Sequence, residues 1–219
     1  MSAMQEHRLS VPRTARYYTL GRPAPALGEA WFVCHGYGQL AGRFLRHFAP
    51  LDDGRRLVVA PEGLSRFYLD AAGRDKVGAS WMTREDRLAE IADYVQYLDA
   101  VRADALRGAT PGDPRSVLLG FSQGASTVCR WAVMGNVRVE RLVVWGGEVP
   151  PDLDPAAAAG RLRGVRVFLV FGRGDELFPP KAIAAIEARL REPGIAFERI
   201  DYDGGHEIDA AILTQIAAA

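Results

Sequence analysis

Cysteine is scarce in this chain: 219 residues hold two, Cys34 and Cys129. Both lie in apolar runs and read as free, buried thiols of a reducing compartment, not as a disulfide framework. Net charge is absent as well, because 27 Lys and Arg balance 27 Asp and Glu. That removes the electrostatic basis for nucleic acid or an anionic membrane as the main partner. No apolar run approaches the length of a membrane span. Residues 1–13 are polar and lack the apolar core of a signal peptide, so the chain reads as soluble and cytoplasmic. His-x-His, His-Glu-x-x-His and paired-cysteine patterns are missing. No Gly-x-Gly-x-x-Gly follows a strand, and neither a metal nor a dinucleotide cofactor is expected. Internal repeats, low-complexity tracts and long charge blocks are missing too.

What remains is an ordinary globular composition, 48% apolar and 25% charged. It suits one domain over residues 1–219, large enough to bury a core without staples. Residues 8–14 and 16–20 read as an N-terminal hairpin. Short apolar runs at 30–34, 56–60, 116–121, 141–145, 165–171 and 196–202 read as strands. Between them, 40–48, 123–134, 180–190 and 206–216 read as helices, the last with Ile208, Ala211, Ile212 and Ile216 on one face. The longest helix is expected to start at Thr83, whose hydroxyl can cap it, with Glu85 and Asp86 in the first turn. Leu88, Ile91, Val95, Leu98, Val101 and Ala105 then form its apolar stripe. Residues 61–82 are expected to be irregular, and 150–160 a Pro/Ala-rich connection. Near-continuous apolar strands separated by helices predict an α/β fold, a mostly parallel sheet covered on both faces. No insertion between residues 122 and 206 is long enough to form a cap domain.

The segment Gly120-Phe121-Ser122-Gln123-Gly124 follows a strand and opens a helix. In a sharp strand-to-helix turn the central side chain is forced outward, and the flanking glycines remove side chains that would clash. The start of the helix aims free N–H groups and its positive end at the same spot. That suits a nucleophile whose reaction generates an oxyanion. A serine needs a base in reach. His7 and His47 read as surface residues, and His35 ends a strand. His206 follows Asp203-Gly204-Gly205 at a strand's C-terminal edge and can swing over the sheet. The base needs a carboxylate: Asp175 is the first choice, with neighbouring Glu176 and Glu148 as alternatives. The order Ser, Asp, His is that of an α/β-hydrolase. Oxyanion donors are expected from the N–H of Gln123 and from the loop 35–38, Tyr37 first and Gly36 next. Phe67, Tyr68, Trp81, Met82 and Phe178 are candidates to line an acyl pocket, with core packing as the alternative for each. Trp31, Trp131 and Trp145 read as core.

Four motifs carry a family resemblance. They are Gly-Phe-Ser-Gln-Gly-Ala at 120–125, His-Gly-x-Gly at 35–38, Gly-x-x-Asp at 172–175 with a proline four residues on, and Gly-Gly-His-Glu-Ile at 204–208. Together, from about residue 29 to the end, they resemble the phospholipase/carboxylesterase family of small α/β-hydrolases, which includes the acyl-protein thioesterases. The resemblance implies a Ser122/Asp175/His206 triad, Tyr37 and Gln123 as oxyanion donors, and hydrolysis of small carboxylic esters or thioesters without a cofactor. Two segments depart from the thioesterase pattern: residues 66–82, and the bulkier loop Asp175-Glu176-Leu177-Phe178. Short to medium acyl esters are therefore the first expectation. Thioester or lysophospholipid hydrolysis is the alternative, and a peptidase or a binding protein on the same fold the more distant one. A homodimer stays open.

Overall fold

The computed structural model describes residues 3–23, 27–70, 75–109 and 114–219. Strand β1 (Tyr17–Leu20) is followed by β2 (Glu29–Cys34), a one-turn helix α1 (Ala41–Phe44) that runs into a 3-10 turn (Leu45–Leu51), and β3 (Arg56–Pro61). Next come β4 (Ser65–Tyr68), β5 (Val77–Ser80), α2 (Arg87–Ala105), β6 (Arg115–Phe121) and α3 (Gln123–Met134). The chain ends with β7 (Val139–Trp145), α4 (Pro155–Arg161), β8 (Arg166–Gly172), α5 (Pro180–Arg191), β9 (Phe197–Tyr202) and α6 (Ala210–Ala218).

Seven strands form one sheet in the order β1-β3-β2-β6-β7-β8-β9, parallel throughout except for the antiparallel edge strand β1. This is the α/β-hydrolase fold. The alternation along each strand explains why the sequence runs are apolar without a break. In β2, Ala30, Phe32 and Cys34 face α2 and α3, while Trp31 and Val33 face α1 and α6. In β8, Val167, Leu169 and Phe171 join the first layer, and Phe168 and Val170 the second. Both faces being covered, neither set can be polar. Trp31, Trp131 and Trp145 are all fully buried.

Several local expectations change. Residues 8–14 form no strand and are exposed. β1 pairs instead with β3, Tyr17 opposite Pro61, because an edge strand needs a ladder partner and the sheet offers one. The helix expected over 40–48 tightens into the 3-10 turn, which contains Pro50, a residue that cannot supply the N–H of a continuing α-helix. Residues 61–82 are not wholly irregular: β4 and β5 form an antiparallel pair, Ser65 opposite Ser80. Helix α2 starts at Arg87. Thr83 bonds forward to Glu90, its N–H donating to Oε2 at 2.5 Å. Asp86 stands at the N-cap with φ 48° and no side-chain cap, its carboxylate taking Arg8 Nε–H at 3.1 Å. Leu88 is 71% exposed, and burial begins at Ile91. Within the 150–160 connection, Asp154 caps α4 by accepting the Ala157 N–H at 2.7 Å, and the alanines that follow favour helix. The last helix starts late, at Ala210, because Asp209 caps it through the Ile212 N–H at 2.9 Å. Its buried residues are Leu213, Ile216 and Ala217. Among the described residues no helix is long and apolar enough to cross a membrane.

Candidate active site

Ser122 stands between the end of β6 and the first residue of α3, at φ 55° and ψ −118°. Serine rarely adopts this backbone conformation, and holding it costs about 1–3 kcal/mol. The turn is enforced from both sides. The Ser122 N–H donates to Trp145 O at 2.9 Å, and Ser122 O accepts the Ala125 N–H at 3.0 Å. Only glycine fits the flanks: a Cβ on Gly120 would lie 2.1 Å from Gly124 O, and one on Gly124 would lie 2.1 Å from Cys34 O. The elbow glycines are thus dictated by backbone contact, and the serine side chain is left partly exposed.

Asp175 and His206 meet at the same sheet edge. His206 Nδ1 lies 2.7 Å from Asp175 Oδ2. A carboxylate can only accept, so Nδ1 carries the hydrogen, and in the neutral ring Nε2 is the nitrogen with the lone pair. The other carboxylate oxygen, Oδ1, accepts the Leu177 N–H at 3.0 Å. The Asp175 side chain is 1% exposed and that of His206 24%. Two backbone bonds sew their loops together: Arg173 N–H to Tyr202 O at 2.8 Å and Gly174 N–H to Gly204 O at 2.9 Å. Beneath His206, Glu207 O accepts both Trp145 Nε1–H at 2.9 Å and Tyr202 O–H at 2.6 Å. Phe121, next to Ser122, lies against the imidazole with ring centroids 4.6 Å apart. Phe178 stacks on it at 6.1 Å and 17°. Glu176 and Glu148, the alternative acids, are exposed.

The loop after β2 lies across the Ser122 turn. A Cβ on Gly36 would lie 3.1 Å from Ser122 Cβ. The Gly36 N–H is engaged by Gln39 Oε1 at 2.8 Å, whereas the local backbone bonds of the loop, Gly38 N–H to Ala79 O and Gln39 N–H to Gly36 O, leave out the Tyr37 N–H. Of the first-choice Tyr37 and the second-choice Gly36, Tyr37 is the one whose N–H these bonds leave unengaged. His35 itself is fully buried, and burial pushes its imidazole below the usual histidine range. Its Nε2 accepts the Gly63 N–H at 3.0 Å, which makes it a neutral structural group and no second base.

The five residues read as pocket lining do not share one environment. Phe178 is half-buried on His206, and Phe67 is half-buried against Tyr37, ring centroids 5.1 Å apart. Tyr68 is 57% exposed. Met82 is half-buried on the core below α2 and α3. Trp81 is 2% exposed, with its Nε1–H on His35 O at 2.8 Å. Its ring is part of the core, and burial explains its apolar character. The reading missed the side-chain role of Gln123, which bonds residues 80–82. An amide directly after the serine was the available signal. Among the described residues no three His, Cys, Asp or Glu side chains cluster as metal ligands would.

No family model matches the sequence, and no curated protein matches it. Solved structures do resemble the fold. A carboxylesterase from Mesorhizobium loti is 22% identical at a TM-score of 0.69, covering 94% of this chain and 95% of that one. Acyl-protein thioesterase 2 from Zea mays is 17% identical at 0.67, covering 94% and 97%. An esterase named PE8 is 22% identical at 0.65, covering 93% and 100%.

Proposed function

We propose that the protein is a serine hydrolase of carboxylic esters, with Ser122 as nucleophile, His206 as general base and Asp175 as the acid that orients it. The single observation that carries this reading is the 2.7 Å bond between His206 Nδ1 and Asp175 Oδ2, on the same sheet edge as a serine held in a strained strand-to-helix turn. Ser122 Oγ attacks the ester carbonyl carbon while His206 Nε2 takes its proton. The oxyanion that forms accepts hydrogen bonds from the N–H groups of Gln123 and Tyr37. The imidazolium, stabilised by the Asp175 carboxylate, then protonates the leaving alcohol as the C–O bond breaks, and an acyl-Ser122 remains. Water, deprotonated by His206, attacks that acyl group. The carboxylic acid leaves and the proton returns to Oγ. No cofactor enters any step.

The acyl chain is read as short to medium. Phe178 supplies an apolar wall beside the imidazole, the Tyr37–Phe67 pair supplies apolar surface at the oxyanion loop, and Met82 fills space toward the core. The likeness to esterases and to a thioesterase supports ester-type chemistry. A panel of p-nitrophenyl esters of increasing length tests it. The specificity constant should climb roughly fourfold per methylene, about 0.8 kcal/mol each, and then break at a defined length. A palmitoyl thioester as the best substrate would overturn the short-chain reading.

A further inference from the structure

Gln123 contributes more to this site than a backbone N–H. Its side-chain amide faces the last residue of β5 and the two residues after it. Oε1 accepts the Trp81 N–H at 3.1 Å, and Nε2 donates to Met82 O at 2.8 Å and to Ser80 Oγ at 3.1 Å. Ser80 Oγ–H in turn donates to Met82 O at 2.9 Å. Every polar atom of that amide is therefore used, and all of its partners lie in three consecutive residues.

The same short segment is tied at its other end to the loop that holds Tyr37. Gly38 N–H donates to Ala79 O at 2.9 Å, and Ala79 N–H donates to Gln39 O at 3.1 Å. A Cβ on Gly78 would lie 2.5 Å from Gly38 O, so the two backbones are in direct contact. Trp81 closes the frame from below through its Nε1–H on His35 O at 2.8 Å, its ring tilted at 33° to the His35 ring with centroids 5.1 Å apart. His35 continues the frame, its Nδ1 bonded to Gly36 O at 2.8 Å. Residues 78–82 thus bridge the two main-chain donors that the reaction needs.

We propose that the Gln123 side chain, acting through β5 and Trp81, is the positioning residue that sets the spacing between its own N–H and that of Tyr37. This rests on the serine-hydrolase reading above. An oxyanion hole works only when both donors already stand about 2.7–3.1 Å from where the charge will develop. A carbonyl in the ground state is less demanding. Loosening the strut should therefore weaken transition-state binding and leave substrate binding nearly untouched.

The experiment uses two variants of the full chain, Gln123→Met and Trp81→Phe. Both keep the backbone N–H groups and most of the side-chain volume. The first removes the amide bonds and the second the Nε1–H bond. With a short p-nitrophenyl ester, each should lower kcat about tenfold or more while KM stays within about threefold. Exchange of the Gly38 amide hydrogen should accelerate in both, because its acceptor strand is no longer anchored. Should Gln123→Met fail to fold, the isosteric Gln123→Glu, which loses both Nε2 donations, carries the same test. If the wild-type protein hydrolyses esters and the folded variants match its kcat, or lose activity only through KM, the strut is overturned while the hydrolase reading stands. If the wild-type protein hydrolyses no ester, both fall together.

Discussion

Asp175 Oδ2 holds His206 Nδ1 at 2.7 Å from a position that is nearly closed to water, whereas Glu148 and Glu176 stand exposed nearby. Asp175→Asn preserves the shape but removes the charge that stabilises the imidazolium and fixes its tautomer. Turnover should fall by about a thousandfold or more with KM little changed. Glu148→Gln should stay within about threefold of wild type. Steady-state kinetics on both variants check the ranking, and the reverse order would move the acid to the loop after β7.

The rate should fall on acidification, since a protonated imidazole cannot accept the Ser122 proton. His35 is not the source of this limb: burial lowers its affinity for a proton, and its Nε2 is occupied by the Gly63 N–H. His206→Ala should abolish the limb together with most of the activity. A pH–rate profile flat from mildly acid to mildly basic, with acylation rate-limiting, would speak against a histidine base.

Far from the serine, at the N-terminal end of the sheet, Glu29 is buried and bonded to Arg141, to Arg56 at 3.1 Å and to Trp31 Nε1–H at 3.0 Å. Burial pushes its carboxyl up, but the Trp31 hydrogen bond and the Arg141 and Arg56 guanidiniums outweigh it and hold the group below its ordinary 4.5. A carboxyl depressed in the folded state stabilises the fold above its unfolded value, and that contribution is lost as pH falls below about 4.5 toward the folded value. Glu29→Gln leaves Arg141 buried without its counter-charge, with Ile216 O still accepting from it. It should cost about 3 kcal/mol, or about 6–12 °C in Tm, at neutral pH. The acid-side loss of stability should flatten, and activity per folded molecule should hold. Thermal melts across pH check this.

The central strands were legible in the sequence because burial on both faces leaves few polar positions: β2, β3, β6 and β8 fall within a residue of their expected places, and β7 starts two residues early. The proposed triad positions were legible because each comes shortly after a strand: Ser122 directly after β6, between two glycines whose Cβ atoms would meet backbone at 2.1 Å, Asp175 three residues after β8, and His206 four residues after the edge strand β9. What escaped was structure specified at a distance. β1 is a strand because β3 offers it an edge. β5 is a strand partly because the loop at 38–39 pairs with Ala79. The starts of α2 and α6 depend on which carboxylate is free to cap: Asp209 is, while Asp86 is engaged by Arg8. The burial of Trp81 has the same origin, since the acceptor for its indole, His35 O, lies 46 residues away in sequence.

The central claim rests on one hydroxyl. Incubation with a fluorophosphonate followed by peptide mapping should place a single adduct on Ser122, with ester hydrolysis lost in proportion to labelling. The folded Ser122→Ala variant should take no label and lose at least about a thousandfold in turnover. An adduct on another residue, or a Ser122→Ala protein within tenfold of wild-type activity, would contradict the account.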